Sequence, residues 1–145
     1  MFKSLKNFSL HLLLVAVLAP VAAYCADFKV VASSDFKSNQ ITKAELRDLY
    51  LGSVQRIENG VAVETTKGPL DSKHMEKFLS EVIEMSAREF VTHWRVRLFS
   101  SRGMPPKTLE SDEQIVFYLH VTPQSLGIVS PTSDVGSLKV LNLLD

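Results

Sequence analysis

The residues best suited to chemistry lie where a helix is predicted to begin, in the segment 67–73, KGPLDSK. The first turn of a helix leaves backbone N–H groups without partners, and its positive dipole end favours an anion. Lys67, Ser72 and Lys73 add an ammonium group, a hydroxyl and a second positive charge. Asp71 leaves an alternative open, because it can cap the helix by itself and leave the lysines in water. The pattern therefore indicates either a small-anion site or an ordinary capped helix.

A second basic group lies further along the chain. His93 and Arg97 are four residues apart and share a helix face. Arg102 follows in the segment 100–103, SSRG, whose backbone N–H groups can form a concave anion site beside the guanidinium. The alternative is a solvated basic face paired with acids such as Glu89. Arg102 is therefore a further candidate anion ligand.

Catalytic and metal chemistry find little support in the sequence. The three histidines that follow residue 25 lie far apart, and none forms a pair at metal-ligand spacing. The single cysteine, Cys25, permits neither an internal disulfide framework nor a cysteine-based zinc site. A nucleophile elbow, a phosphate loop and a dinucleotide fingerprint are all missing from the sequence. We therefore expect no enzyme, no metal and no cofactor.

Composition points to one folded domain. Of 145 residues, 46% are hydrophobic and 22% are charged, which excludes a disordered chain. Six glycines and six prolines exclude collagen-like and proline-rich sequences. Sixteen basic and sixteen acidic residues give a formal net charge of zero, which argues against a nucleic-acid-binding domain.

The first 25 residues predict a secretory signal peptide. A basic start with Lys3 and Lys6 precedes an apolar run, and small residues follow it. Cleavage after Ala23 and cleavage after Cys25 both remain open. Tyr24 precedes the cysteine where bacterial lipoproteins have a small residue, so we expect a soluble periplasmic protein without a lipid anchor. Residues 26–145 are expected to form a single domain with no membrane span.

The elements that must position the candidate residues alternate between strands and helices. Strands are predicted from β-prone runs at 28–32, 61–66, 126–129 and 138–141. Helices are predicted after capping boxes that begin at Thr42, Ser86 and Ser111, and after Asp71 or Ser72. The order β-α-β-α-α-α-β-β predicts an α/β fold whose strands are covered by helices.

Aromatic residues at helical spacing are predicted to be structural. Phe90, Trp94 and Leu98 are spaced four residues apart and share one helix face. This spacing indicates that Trp94 is a core residue rather than a platform for a ligand. Tyr50 and Tyr118 are predicted to lie at the edge of the core with their hydroxyls in water.

Four segments in order resemble phosphate-type periplasmic binding proteins. Segment 41–52, ITKAELRDLYLG, resembles the family pattern Leu-x-x-x-x-Leu-x-x-Ile-Phe-Leu-Gly, and 122–129, TPQSLGIV, resembles Thr-Pro-Gly-Ala-Ile-Gly-Tyr-Val. Between them, 90–94, FVTHW, and 99–106, FSSRGMPP, are similar to a subgroup of short exported chains of this kind. The resemblance implies one lobe of a type 2 periplasmic-binding-protein fold, with a mixed sheet flanked by helices. Full-length members of the family close two such lobes over a ligand.

The same resemblance bears on the site. In full-length phosphate binders, the matching lobe carries a Ser-Gly-Thr turn at a helix start, with an arginine upstream. Residues 65–73, TTKGPLDSK, occupy that place, so Lys67 would stand near the arginine and Ser72 near the hydroxyl. Ser-Gly-Thr itself is absent, and Asp71 brings a negative charge to the expected anion position.

Two functions are therefore predicted as alternatives. The first is a non-enzymatic, exported solute-binding-like protein that recognises a small anion, phosphate first, through Lys67, Ser72, Lys73 and Arg102. The second is a periplasmic protein-interaction module that keeps the fold but has lost ligand binding. The missing Ser-Gly-Thr and the single lobe favour the second, whose partner would be an envelope protein or a transporter.

Overall fold

The computed structural model describes residues 26–57 and 60–145, so the predicted signal peptide and its cleavage sites lie outside the described residues. The strands within these ranges are β1 (Lys29–Ala32), β2 (Gln40–Thr42), β3 (Glu64–Lys67), β4 (Lys107–Thr108), β5 (Ser125–Val129), β6 (Lys139–Val140) and β7 (Asn142–Leu144). The α-helices are α1 (Lys43–Leu51), α2 (Lys73–Phe78), α3 (Ala87–Phe99) and α4 (Asp112–Val121). Helix α2 continues directly into one π-helical turn, Leu79–Ile83.

Five strands form one mixed sheet in the order β4-β3-β5-β1-β6. Strand β3 runs parallel to both β4 and β5, whereas β1 runs antiparallel to β5 and β6. Strands β2 and β7 form a separate parallel pair. The predicted α/β class with a mixed sheet flanked by helices is therefore confirmed.

The two central strands are buried on both faces of the sheet. Val30 and Ile128 belong to a core cluster that includes side chains of α1, α2, the π-helical turn and α3. Val31 and Val129 point to the opposite face, where they pack with the buried side chains of α4. Successive strand residues face opposite sides, so a strand covered on both sides is apolar throughout.

Local sequence signals set most helix ends. Thr42 and Ser86 each form a reciprocal capping box. The hydroxyl of the cap residue accepts from the backbone N–H of the glutamate three residues later, and the carboxylate of that glutamate accepts from the backbone N–H of the cap residue. Ser111 accepts from the Gln114 N–H, but the Gln114 side chain accepts from the Glu110 N–H instead of the Ser111 N–H, so the capping box predicted here is incomplete. Gly52 ends α1 at φ 73°, a left-handed conformation that glycine adopts without a Cβ clash.

The strands at the edges differ from the prediction. Strands β2, β4 and β7 were not predicted. The predicted strand at 138–141 is shortened to β6, which pairs with β1, and β7 follows it and pairs with β2. Strands of two or three residues carry no periodic pattern, since a distant partner strand supplies their hydrogen bonds.

The prediction that Tyr50 places its hydroxyl in water is wrong. Tyr50 is 0% exposed, and its hydroxyl donates to the Thr66 carbonyl oxygen at 2.7 Å. The hydroxyl is satisfied because α1 packs across β3, which the local sequence does not reveal. The Tyr118 hydroxyl donates to the Glu64 carboxylate rather than only to water.

Burial raises the pKa of Tyr50 above its ordinary value of 10.0. Because the pKa of Tyr50 is higher in the folded state than in the unfolded state, its contribution to stability is complete below pH 10 and is lost as the pH rises further. We expect the free energy of unfolding to fall above pH 10, and Tyr50→Phe to remove part of that slope while costing about 1 kcal/mol near neutrality. Urea unfolding between pH 8 and 11 measures both effects, and an unchanged alkaline slope in Tyr50→Phe would contradict them.

Candidate functional site

The main candidate residues lie at the edge of the sheet where β3 and β4 end. These strands run parallel, with Lys67 opposite Thr108, and the Lys67 carbonyl accepts from the Leu109 N–H at 2.9 Å. Helix α2 follows β3, and α4 follows β4. Ligands of open α/β sheets bind beyond the carboxyl ends of parallel strands, where helices begin. This edge is therefore where a ligand site is expected.

The loop 68–72 leads into α2 without capping it. Ser72 stands at the cap position, but its hydroxyl donates back to the Pro69 carbonyl oxygen at 2.8 Å and makes no capping hydrogen bond. Asp71 and Lys73 are exposed, and Asp71 does not provide the cap. The predicted capping of this helix by a side chain is therefore wrong, and its first N–H groups are not covered by Ser72.

Lys67 is buried at the end of β3, with 9% of its surface exposed. Its ammonium group makes no hydrogen bond or ion pair with any residue of the described ranges. Burial lowers the pKa of Lys67 below its ordinary value of 10.5, since removing water disfavours the charged form. The residue is largely covered, but its ammonium nitrogen is not among the buried unpartnered atoms of the described chain and so keeps contact with solvent.

Lys67 lines an open groove of about 290 Å³. The groove runs under α3 from the loop after β3 to the loop before β4, and its walls comprise Lys67, Leu70, Phe90, Val91, Trp94, Arg95, Leu98 and Pro105. Ser72, Lys73 and Arg102 do not line it. The apolar walls of this groove were not predicted, because helical spacing alone cannot show which residues of α3 face β3.

Arg102 lies in the exposed loop after α3. The N–H groups expected to form an anion nest are already used: Ser101 N–H donates to Leu98 and Arg102 N–H donates to Arg97, both to carbonyl oxygens that end α3. In the described part of the chain, no hydrogen bond or ion pair joins Arg102 to Lys67, Ser72 or Lys73. What Arg102 offers a ligand is its exposed guanidinium.

His93 and Arg97 serve the fold rather than an exposed anion site. His93 Nε2 lies 2.8 Å from the Leu51 carbonyl oxygen, and Arg97 Nη2 donates to the Gly52 carbonyl oxygen at 2.7 Å. Between them, Trp94 Nε1 donates to the Tyr50 carbonyl oxygen at 3.1 Å. Three side chains of α3 thus bind three consecutive carbonyls at the end of α1, which a helix leaves without internal partners.

The start of α4 already carries a negative charge. The Asp112 carboxylate accepts from the Ser130 N–H at 2.8 Å and from the Ser133 hydroxyl, and lies 3.4 Å from His74 Nε2. A carboxylate at this position favours the positive end of the helix dipole. A second anion would be repelled here, so the α2 side of the edge is the better place for one.

Metal ligands are not gathered at this edge. Across residues 26–57 and 60–145, no three His, Cys, Asp or Glu side chains are arranged to hold a metal ion. Over the same ranges, no helix is both long and apolar enough to cross a bilayer.

Sequence comparison assigns no family, since neither a protein-family model nor a curated protein matches the chain. Solved structures do match. An ABC-type phosphate transport receptor from Vibrio cholerae superimposes with a TM-score of 0.62 at 13% identity, over 81% of this chain and 46% of that one. PstS from Borrelia burgdorferi superimposes with a TM-score of 0.58 at 14% identity, over 81% of this chain and 47% of that one.

These structures confirm the fold that the sequence resemblance implied. The chain has the α/β fold of phosphate-type substrate-binding proteins and spans less than half the length of those two proteins. That coverage is consistent with a single lobe. At such low identity the likeness concerns the fold alone.

Proposed function

We propose that this chain is a non-enzymatic, exported solute-binding-like protein of the periplasm that recognises a small anion, with phosphate as the first candidate. A cleavable signal peptide at residues 1–25 and a single domain over 26–145 belong to the proposal. The observation that carries it is Lys67 at the carboxyl end of β3: 91% of its surface is covered, and its ammonium group has no counter-charge within residues 26–57 and 60–145. The fold shared with phosphate-transport receptors supports it.

The proposed anion site lies between the end of β3 and the start of α2. Lys67 supplies charge, Ser72 a hydroxyl, and Lys73 a second charge beside the first N–H groups of α2. Arg102 is a peripheral candidate. One lobe offers an open site, so we expect modest affinity unless a partner covers it.

Calorimetry of the purified protein with phosphate, and with sulfate for selectivity, tests this proposal. We expect saturable heat with phosphate and an affinity at least about tenfold lower in the double variant Lys67→Met, Ser72→Ala, because charge-assisted hydrogen bonds are lost. Lys77→Met is the matched control, since Lys77 lies on α2 but faces Asp27. Absence of heat at millimolar phosphate would remove phosphate as the ligand (a Kd of 1 mM corresponds to about −4 kcal/mol).

The alternative is a periplasmic module that binds an envelope protein or a transporter. Large apolar side chains near the end of α3 favour it, since Leu98, Phe99 and Met104 are 47%, 88% and 80% exposed. Cross-linking in intact cells separates the two functions. A partner that is lost in Phe99→Ser, together with absent anion binding, would support the interaction module.

A further inference from the structure

The groove that contains Lys67 combines positive charge with apolar walls. Its two polar lining residues, Lys67 and Arg95, are both cationic, and its other lining residues are apolar. No aspartate or glutamate lines it. Neither Lys67 nor Arg95 makes a hydrogen bond or ion pair with any residue in 26–57 or 60–145. The groove therefore offers a ligand two cationic side chains and no carboxylate side chain that would compete for them.

The lysine is open to the groove rather than enclosed. The buried side-chain atoms without partners in the described chain belong to His74, Arg97 and Gln124. The ammonium nitrogen of Lys67 is not among them, so it keeps contact with solvent although 91% of the residue is covered. Lys67 also lines the groove, so a ligand there lies beside its side chain.

The walls select against a fully hydrated inorganic ion. Phosphate exchanges its water for a shell of hydrogen-bond donors, whereas this groove offers two cationic side chains among apolar surfaces. At about 290 Å³ the groove lies at the small end of ligand pockets, which begin at about 300 Å³. A single-ring ligand suits that size, and the partly exposed side chains of Val91 and Leu98 offer it apolar contacts beside Trp94, which is 4% exposed.

We propose that this groove binds a small organic carboxylate with an apolar, preferably aromatic, body: the carboxylate meets Lys67, with Arg95 at the rim, and the ring packs against Trp94 and Leu98. The inference rests on the proposed function, the recognition of a small anion. It specifies that this anion is an amphipathic organic acid in place of inorganic phosphate. The groove lies beside the start of α2 and uses one of its candidate ligands, Lys67.

Trp94 reports on this binding directly, because it is the only tryptophan of the chain and lines the groove. Phenylacetate is the probe, 2-phenylethanol is its neutral counterpart, and inorganic phosphate is the third ligand. We expect a saturable change of Trp94 fluorescence with phenylacetate and an affinity for 2-phenylethanol lower by about tenfold or more, since a charged hydrogen bond is lost.

Variants test whether the response arises in the groove. Lys67→Met should weaken phenylacetate binding by about tenfold while leaving 2-phenylethanol binding unchanged. Leu98→Asp should abolish phenylacetate binding, because a carboxylate would then line the groove and repel that of the ligand. The protein should tolerate this substitution, because Leu98 is half-exposed. Lys77→Met, on an exposed face of α2, should bind like the unmodified protein. The spectrum without ligand checks that each variant keeps Trp94 buried.

The outcomes separate this inference from the proposed function. Phosphate binding without phenylacetate binding overturns the inference and leaves the proposed function standing. Equal affinity for phenylacetate and 2-phenylethanol also overturns the inference, because the charge is then not recognised. Failure of phenylacetate, phosphate and sulfate alike overturns both. Phenylacetate binding that depends on Lys67 supports both and removes phosphate as the preferred ligand.

Discussion

Replacing Trp94 with alanine is expected to lower the free energy of unfolding by about 3–5 kcal/mol. The side chain is 4% exposed and belongs to the main core cluster. Its removal leaves a cavity and takes away the hydrogen bond to the Tyr50 carbonyl oxygen. The indole also covers the end of α1 so closely that a Cβ on Gly52 would lie 2.6 Å from it. Both losses act at the junction of α1 and α3.

Urea unfolding followed by circular dichroism measures this effect. Phe99→Ala is the matched control, since Phe99 lies on the same helix but is 88% exposed, and we expect it to change stability by less than about 0.5 kcal/mol. Trp94→Phe separates the two contributions, because it keeps most of the packing and loses the N–H donor. If Trp94→Ala and Phe99→Ala cost the same, the junction does not have the role assigned to it.

Gly127→Ala is expected to lower the free energy of unfolding by about 2–3 kcal/mol. Gly127 lies in the central strand β5, beneath α4. An added Cβ would lie 2.8 Å from Ile115 Cγ2 and closer still to Thr66 Oγ1, so both neighbours would have to move. The Thr66 hydroxyl donates to the Leu126 carbonyl oxygen at 3.2 Å, and displacing it puts that buried bond at risk.

Gly68→Ala gives a close comparison for Gly127→Ala. Gly68 follows β3, and a Cβ there would meet only Ile115 Cδ1, at an ordinary contact distance of 3.8 Å. The substitution reduces the freedom of the unfolded chain, so we expect no loss of stability or a gain of up to about 1 kcal/mol. Chemical unfolding of the two variants under the same conditions compares their free energies of unfolding. A Gly127→Ala protein as stable as Gly68→Ala would mean that α4 is not held against β5.

Helix α3 contributes both to the stability of the fold and to the groove proposed to bind an anion. One face of this helix, with His93 and Arg97, binds the carbonyls that end α1. Another face, with Arg95 and Leu98, lines the groove of Lys67. Substitutions of Arg95 or Leu98 can therefore probe binding separately from folding, whereas those of Arg97 cannot.

The sequence by itself determined the features that arise within a few residues. The capping boxes at Thr42 and Ser86 join a side chain to a backbone group three positions away, so their residue types identify them. Gly52 ends α1 for an equally local reason, its left-handed backbone. The alternation of apolar runs predicted the α/β class, and the four resembling segments predicted the fold.

Only the tertiary structure decided what the basic and aromatic side chains touch. His93, Trp94 and Arg97 bind carbonyls 42, 44 and 45 residues earlier in the chain, and no local pattern records such partners. The same holds for the short edge strands, whose hydrogen bonds come from distant segments. The sequence placed Lys67 near a helix start, but the packing of α3 across β3 buried it in an apolar groove, because tertiary packing decides which face of each element meets another.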